Sequence, residues 1–152
     1  MRIYQITDLD ELHQWINLIQ RSHVAISKPR GANAQIPYEG YIATIFQCLK
    51  AWPEGGIFGA VNESGQQLGF TVVLNHSERY SNRKTLLAYT VYTTGEDPAT
   101  IRELVKFVED KARDAGYTEV EAHSGRFSGA TRKWFDKVLK MKRHKIVYKK
   151  DL

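Results

Sequence analysis

Glu119, Glu121 and His123 alternate along one short segment of the chain. In an extended backbone, alternate residues share a face. A carboxylate or imidazole in that row could therefore take a proton from an amine, directly or through one water. The plainer reading, a solvent-facing row beneath an apolar face of Thr118, Val120 and Ala122, carries more weight. Tyr89 and Tyr92, on the preceding extended segment, bring phenolic hydroxyls that can donate a proton or line a pocket. His13, His23, His76 and His144 show no metal-ligand spacing, and no metal is expected. No nucleophile elbow, P-loop or paired-carboxylate motif occurs. The one cysteine, Cys48, excludes an internal disulfide and a Cys-based zinc site; it lies in an apolar helical run, where a buried, inert thiol is the expected state.

Charge is unevenly placed. Residues 1–125 carry 12 basic and 15 acidic side chains, whereas residues 126–150 carry 10 basic ones against Asp136 alone. Such a stretch attracts nucleotide phosphates, nucleic acid or an acidic protein surface, and it is equally what a solvated basic face looks like. Arg132, Lys133 and Lys137 are its candidate phosphate or nucleic-acid contacts, and Trp134 and Tyr148 could stack on bases. No recognised nucleic-acid module accompanies them.

These side chains must be positioned by a scaffold, and the chain's periodicities define one. Its 152 residues, 42% hydrophobic and 26% charged, fit a single soluble domain over residues 1–152. No apolar run approaches the roughly 20 residues that span a bilayer, so no membrane insertion is expected. The opening MRIYQITDLDELH is not a secretory signal, which makes the cytoplasm the expected location. Arg2–Thr7 reads as a strand, and Asp8 caps a helix with Leu9, Leu12, Trp15/Ile16 and Ile19 on one face. Residues 27–33 are a loop by composition. A second helix from about Pro37 sets Ile42, Ile45/Phe46, Leu49 and Trp52 on one side. Ile57–Val61, Leu68–Leu74 and Lys84–Thr93 form an antiparallel meander, the first two joined by Asn62-Glu63-Ser64-Gly65. Asp97-Pro98 starts a helix with inner face Ile101, Leu104/Val105, Val108 and Ala112, which Gly116 stops. Tyr117–His123 is a strand, Ser128 to about Leu139 a helix, and His144–Tyr148 a last strand. The order β-α-α-β-β-β-α-β-α-β predicts an α/β (α+β) fold: a mixed, mostly antiparallel central sheet flanked by four helices.

That order, with IRELVKFVEDKARDAG at 101–116 followed by Tyr117-Thr118-Glu119-Val120, resembles the GNAT superfamily of acetyl-CoA-dependent N-acyltransferases over essentially the whole chain. Ser128–Lys137 resembles the family's next helix. The resemblance implies acetyl-CoA as cofactor, a small amine or a protein amine as acceptor, and a pyrophosphate site at the start of the central helix. It points to Val91, Thr93, Thr94, Gly95, Ala99 and Thr100 as cofactor-binding residues, and to Glu121 and Tyr92 as base and acid. The chain departs from the family pattern in two places. Its phosphate loop has a single glycine and no Gln or Arg, while Glu96 and Asp97 place negative charge there and Pro98 lacks an N–H. Phe135, or Trp134 one residue away, stands where the family commonly has a proton-donating tyrosine.

Two functions therefore compete. One is an active N-acetyltransferase. The other is a catalytically inactive GNAT-like structural or interaction protein with an assembly partner and no cofactor, for example a tailed-phage virion component. Nucleic-acid binding through the basic stretch ranks third.

Overall fold

The computed structural model describes residues 1–27, 37–95 and 98–122. Among them run β1 (Arg2–Gln5), α1 (Leu9–Gln14), α2 (Ile16–Ser27), α3 (Tyr38–Gln47), β2 (Gly55–Val61), β3 (Gln67–Asn75), β4 (Thr85–Thr93), α4 (Pro98–Asp114) and β5 (Glu119–Ala122). The expected helix at Ser128–Leu139, the last strand at His144–Tyr148 and His123 lie outside the described residues.

The five strands form one sheet in the order β1-β2-β3-β4-β5. The first three pairings are antiparallel and β4–β5 is parallel. A hairpin cannot return a chain parallel to itself, so α4 makes the crossover between β4 and β5. The β2–β3 hairpin is set by Asn62, whose Oδ1 accepts from the backbone N–H of Ser64 and Gln66 at 3.1 and 2.9 Å.

Helices cover both faces. On one, α1, α2 and α3 bring Leu12, Trp15, Ile19, Tyr41 and Ile45 against Ile57, Phe70 and Val72 of the sheet. Trp15 fits only because Gly59 of β2 has no side chain: a Cβ there would stand 2.5 Å from the indole. On the other face, Val108 and Ala112 of α4 pack against Phe58, Val73 and Leu86. The α4 inner face is the expected one: Ile101, Leu104, Val108 and Ala112 are all buried. The helix stops where Gly116 adopts φ +83°. There the N–H of Tyr117 bonds to the Ala112 carbonyl at 2.9 Å and that of Gly116 to the Arg113 carbonyl at 3.1 Å, a Schellman closure.

Two expectations are corrected. The first helix is interrupted at Trp15, so α1 ends after six residues and α2 starts afresh. Asp8 does cap it, accepting from Glu11 N–H at 2.8 Å, but Leu9 is 64% exposed rather than on the inner face. The break turns the apolar stripe, so that burial passes from Leu12 and Trp15 to Leu18, Ile19 and Ile26. The second helix ends at Gln47, and Trp52 lies beyond it. The chain turns through Lys50 (φ 54°) and carries Trp52 to the opposite sheet face, where its ring meets Phe58 at 5.5 Å and Tyr117 at 6.5 Å. Among the described residues, no helix is long and apolar enough to cross a membrane.

Candidate active site

The pairing of β3 with β4 slips by one residue in mid-strand. Val72 faces Thr90 and Val73 faces Ala88, so Tyr89 is an extra residue in β4. Such a bulge bends its strand and places two successive side chains on one face. Both Tyr89 and Thr90 accordingly meet the α1–α3 layer, through Tyr41. On the other side of β4, the pairs Thr85↔Glu119 to Ala88↔Ala122 join it to β5, beside the bulge.

Beneath that point lies an apolar cavity between the sheet and α4, lined by Thr71, Ala88, Val91, Leu104, Val105, Val108, Val120 and Ala122. Thr71 is its one hydroxyl-bearing wall residue, and that hydroxyl donates to the Thr90 carbonyl at 2.9 Å. The cavity wall thus offers apolar contacts while helping to hold the bulge in place.

The opposite face is polar and aromatic. Tyr41, fully buried, has its hydroxyl 2.7 Å from Ser22 Oγ and donates to Thr90 Oγ1 at 3.3 Å. Burial raises its pKa, so the hydroxyl stays protonated. Its ring stacks on Tyr89 at 6.0 Å and lies 5.4 Å from the His23 imidazole, which also meets Tyr38 at 5.3 Å. Tyr92 packs on Phe70 of the same layer at 6.2 Å. Strand alternation sets Glu121 on this face, opposite to Val120 and Ala122, and in register with Leu87. Glu119 is half-buried, accepting from Thr85 Oγ1 at 2.5 Å and pairing with Arg83 at 3.1 Å. It serves as a strand tie rather than as part of a freely solvated row.

At the C-terminal end of β4, the Thr94 N–H and hydroxyl both reach the Leu68 carbonyl, at 2.9 and 3.2 Å. Thr93 Oγ1 donates to the Gly95 carbonyl at 3.2 Å. Gly69, across from Thr93, lets this end close up, since a Cβ there would stand 2.5 Å from the Tyr92 carbonyl oxygen. Ala99 and Thr100 form the first turn of α4, the former exposed and the latter buried.

No protein-family model matches the sequence, and no curated protein matches it. Solved structures do match, end to end. A point mutant of the BH1408 protein from Bacillus halodurans superimposes with a TM-score of 0.74 at 16% identity, covering 100% of this chain and 99% of that one. A ribosomal-protein-alanine N-acetyltransferase from Brucella melitensis biovar Abortus 2308 gives 0.71 at 14%, with 100% and 99% covered. AAC(6')-Iy, solved with the bisubstrate analogue CoA-S-monomethyl-acetylneamine, gives 0.66 at 14%, with 99% and 98% covered. The fold is that of the GNAT acetyltransferases.

Within this GNAT fold, the sequence-predicted residues divide into three groups. Val91 lines the cavity, and Tyr92 and Glu121 stand on the far side of the sheet from it. Thr93, Thr94, Gly95, Ala99 and Thr100 cluster at the β4–α4 junction, where Thr94 is already engaged by Leu68. Glu96, Asp97, Arg132, Lys133, Trp134, Phe135 and Lys137 lie outside the described residues. Sequence reasoning missed the clamp on the bulge from both faces, Thr71 and Tyr41 on Thr90. Its partners lie up to 49 residues apart, and no local pattern announces it.

Proposed function

We propose that this chain is an N-acyltransferase of the GNAT fold that moves an acetyl group from acetyl-CoA to a primary amine, free or on a protein. The observation that carries this reading is the bulge at Tyr89. It bends β4 beside an apolar cavity on one face of the sheet, with a carboxylate and hydroxyl groups on the opposite face. A thioester and an amine approaching from opposite faces of a sheet need a strand bent out of its regular pairing, as a bulge provides. The enzymes of like fold named for a ribosomal-protein alanine and solved with a CoA bisubstrate analogue support pairing these substrates here.

Acetyl-CoA, when bound, supplies an acyl carbon activated as a thioester. The β4 backbone from Tyr89 to Thr93 would hold its extended arm by amide hydrogen bonds, and the apolar wall fits an uncharged acyl end. Glu121 would accept the proton shed by the amine nitrogen, directly or through a water. Tyr92 is the candidate donor to the leaving sulfur. The junction fits the phosphates less well, because Thr94 spends its N–H on Leu68 and Pro98 has none. Arg132, Lys133 and Lys137 are the candidate contacts that would compensate.

Thr94 also favours a second reading: a catalytically inactive GNAT-fold protein serving as a structural or interaction component, in a virion for instance. Thiol release from acetyl-CoA over a panel of amines separates the two. Turnover that falls about a hundredfold or more in Glu121→Gln, with acetyl-CoA affinity kept, supports catalysis. No thiol release with any amine favours the second reading.

A further inference from the structure

Among the described residues, the buried polar side chains are Ser22, Thr71, Thr85, Thr90 and Thr100, and three of these five meet at Thr90. The Ser22 hydroxyl donates to the Ile19 carbonyl at 2.7 Å and lies 2.7 Å from the Tyr41 hydroxyl, which donates to Thr90 Oγ1 at 3.3 Å. From β3, Thr71 Oγ1 donates to the Thr90 carbonyl at 2.9 Å. Thr90 is thus held by its side chain from the helices and by its backbone from the neighbouring strand. The core around this chain is apolar, with Leu12, Ile19, Ile45 and Val72 close at hand. Hydroxyls buried in such a layer must be paired, and a fully paired network selects one arrangement of the chain over its neighbours.

What it selects is the face on which Thr90 stands. Ala88 lines the cavity between the sheet and α4. Plain alternation from Ala88 would turn Thr90 and Tyr92 toward that cavity, and Tyr89 and Val91 toward α1–α3. The bulge instead keeps Thr90 beside Tyr89 on the α1–α3 face. Val91 then lines the cavity, and Tyr92 packs on Phe70, its register partner. The N-terminal half of β4 is held by its pairs with β5. A strand that lost the bulge would therefore slip in its C-terminal half, and Val91 and Tyr92 would exchange faces. Tyr89-Thr90-Val91-Tyr92 favours a strand in either register, so local propensity does not decide between them.

Resting on the reading of the chain as an acetyl-CoA-dependent transferase, we infer that Tyr41 and Thr71 are positioning residues of that site. Acting through Thr90, they fix the register of β4 beyond the bulge, and with it the faces that Val91 and Tyr92 present. Ser22 orients Tyr41. None of the three is assigned a chemical step.

Two readouts on the whole chain test this: calorimetric titration with acetyl-CoA, and the nuclear Overhauser contact between the rings of Phe70 and Tyr92. Both are taken at a temperature where circular dichroism shows each variant folded. Tyr41→Phe/Thr71→Val removes both hydroxyls and keeps the shapes. It should lose the ring contact and bind acetyl-CoA at least about tenfold more weakly than the wild type, the equivalent of one or two hydrogen bonds. Tyr41→Phe/Thr71→Ser restores one hydroxyl, and should regain the contact and most of the affinity. Gly116→Ala weakens the fold away from β4 and should change neither readout, which separates positioning from stability. Should the double variant fail to fold, Tyr41→Phe and Thr71→Val singly carry the comparison. Wild-type affinity without the two hydroxyls overturns the inference and leaves the transferase reading standing. So does a loss of affinity with the ring contact kept, or an equal loss in Gly116→Ala. If the wild type binds no acetyl-CoA, the transferase reading falls and the positioning role with it.

Discussion

Cys48 sits buried at the end of α3, where burial pushes its thiol up to about 11 despite a hydrogen bond from the Gly56 backbone. A thiol held neutral is a poor nucleophile. Alkylation near pH 8 should therefore be slow in the native chain and become fast once denaturant unfolds it, as mass spectrometry can follow. Tyr41 is a different kind of buried residue. Its hydroxyl joins Ser22 of α2 to Thr90 of the bulge. Tyr41→Phe keeps the ring but leaves those hydroxyls short of a partner, and should cost about 1–3 kcal/mol in urea unfolding. The sequence marked Cys48 as inert because apolar neighbours surround it. Tyr41 escaped notice because its partners lie 19 and 49 residues away.

At the scale of elements, legibility followed periodicity. The meander was readable because strand-favouring runs are bounded there by turn residues, and α4 because the 3.6-residue helical repeat runs unbroken through it. The break at Trp15 was not, since one interrupted residue leaves the apolar spacing nearly intact while turning Leu9 outward. The bulge was hidden for a similar reason: Tyr89 is one more strand-favouring residue in a run of them. The stop at Gly116 was legible because few other residues accept its positive φ. Gly116→Ala, with backbone otherwise unchanged, should destabilise the chain by about 1 kcal/mol, seen as a lower urea midpoint with the same slope.

At the scale of the molecule, the described residues form a five-stranded sheet with helices on both faces. Its stability carries an alkaline limit. Burial, aided by the nearby charge of Glu54, pushes the Tyr117 hydroxyl up to about 12, and Cys48 also titrates high. Both folded values exceed the ordinary 10.0 and 9.0, so the fold favours the neutral forms. That contribution is complete below the ordinary values and fades as pH rises through the folded ones. The urea midpoint should fall between about pH 9 and pH 12, and less steeply in Tyr117→Phe. The candidate site draws on several elements as well, since β3, β4, β5 and α4 jointly make the bulge and the cavity. That β4, bent by the bulge at Tyr89, receives acetyl-CoA can be tested by titrating acetyl-CoA into the wild type and into a chain with Tyr89 deleted. Deletion restores even strand alternation and lets β4 straighten. Saturable binding to the wild type at about micromolar to millimolar concentration, and its loss in the folded deletion variant, is the expected result. Absence of binding to the wild type at about millimolar cofactor, or equal binding to both chains, would contradict it.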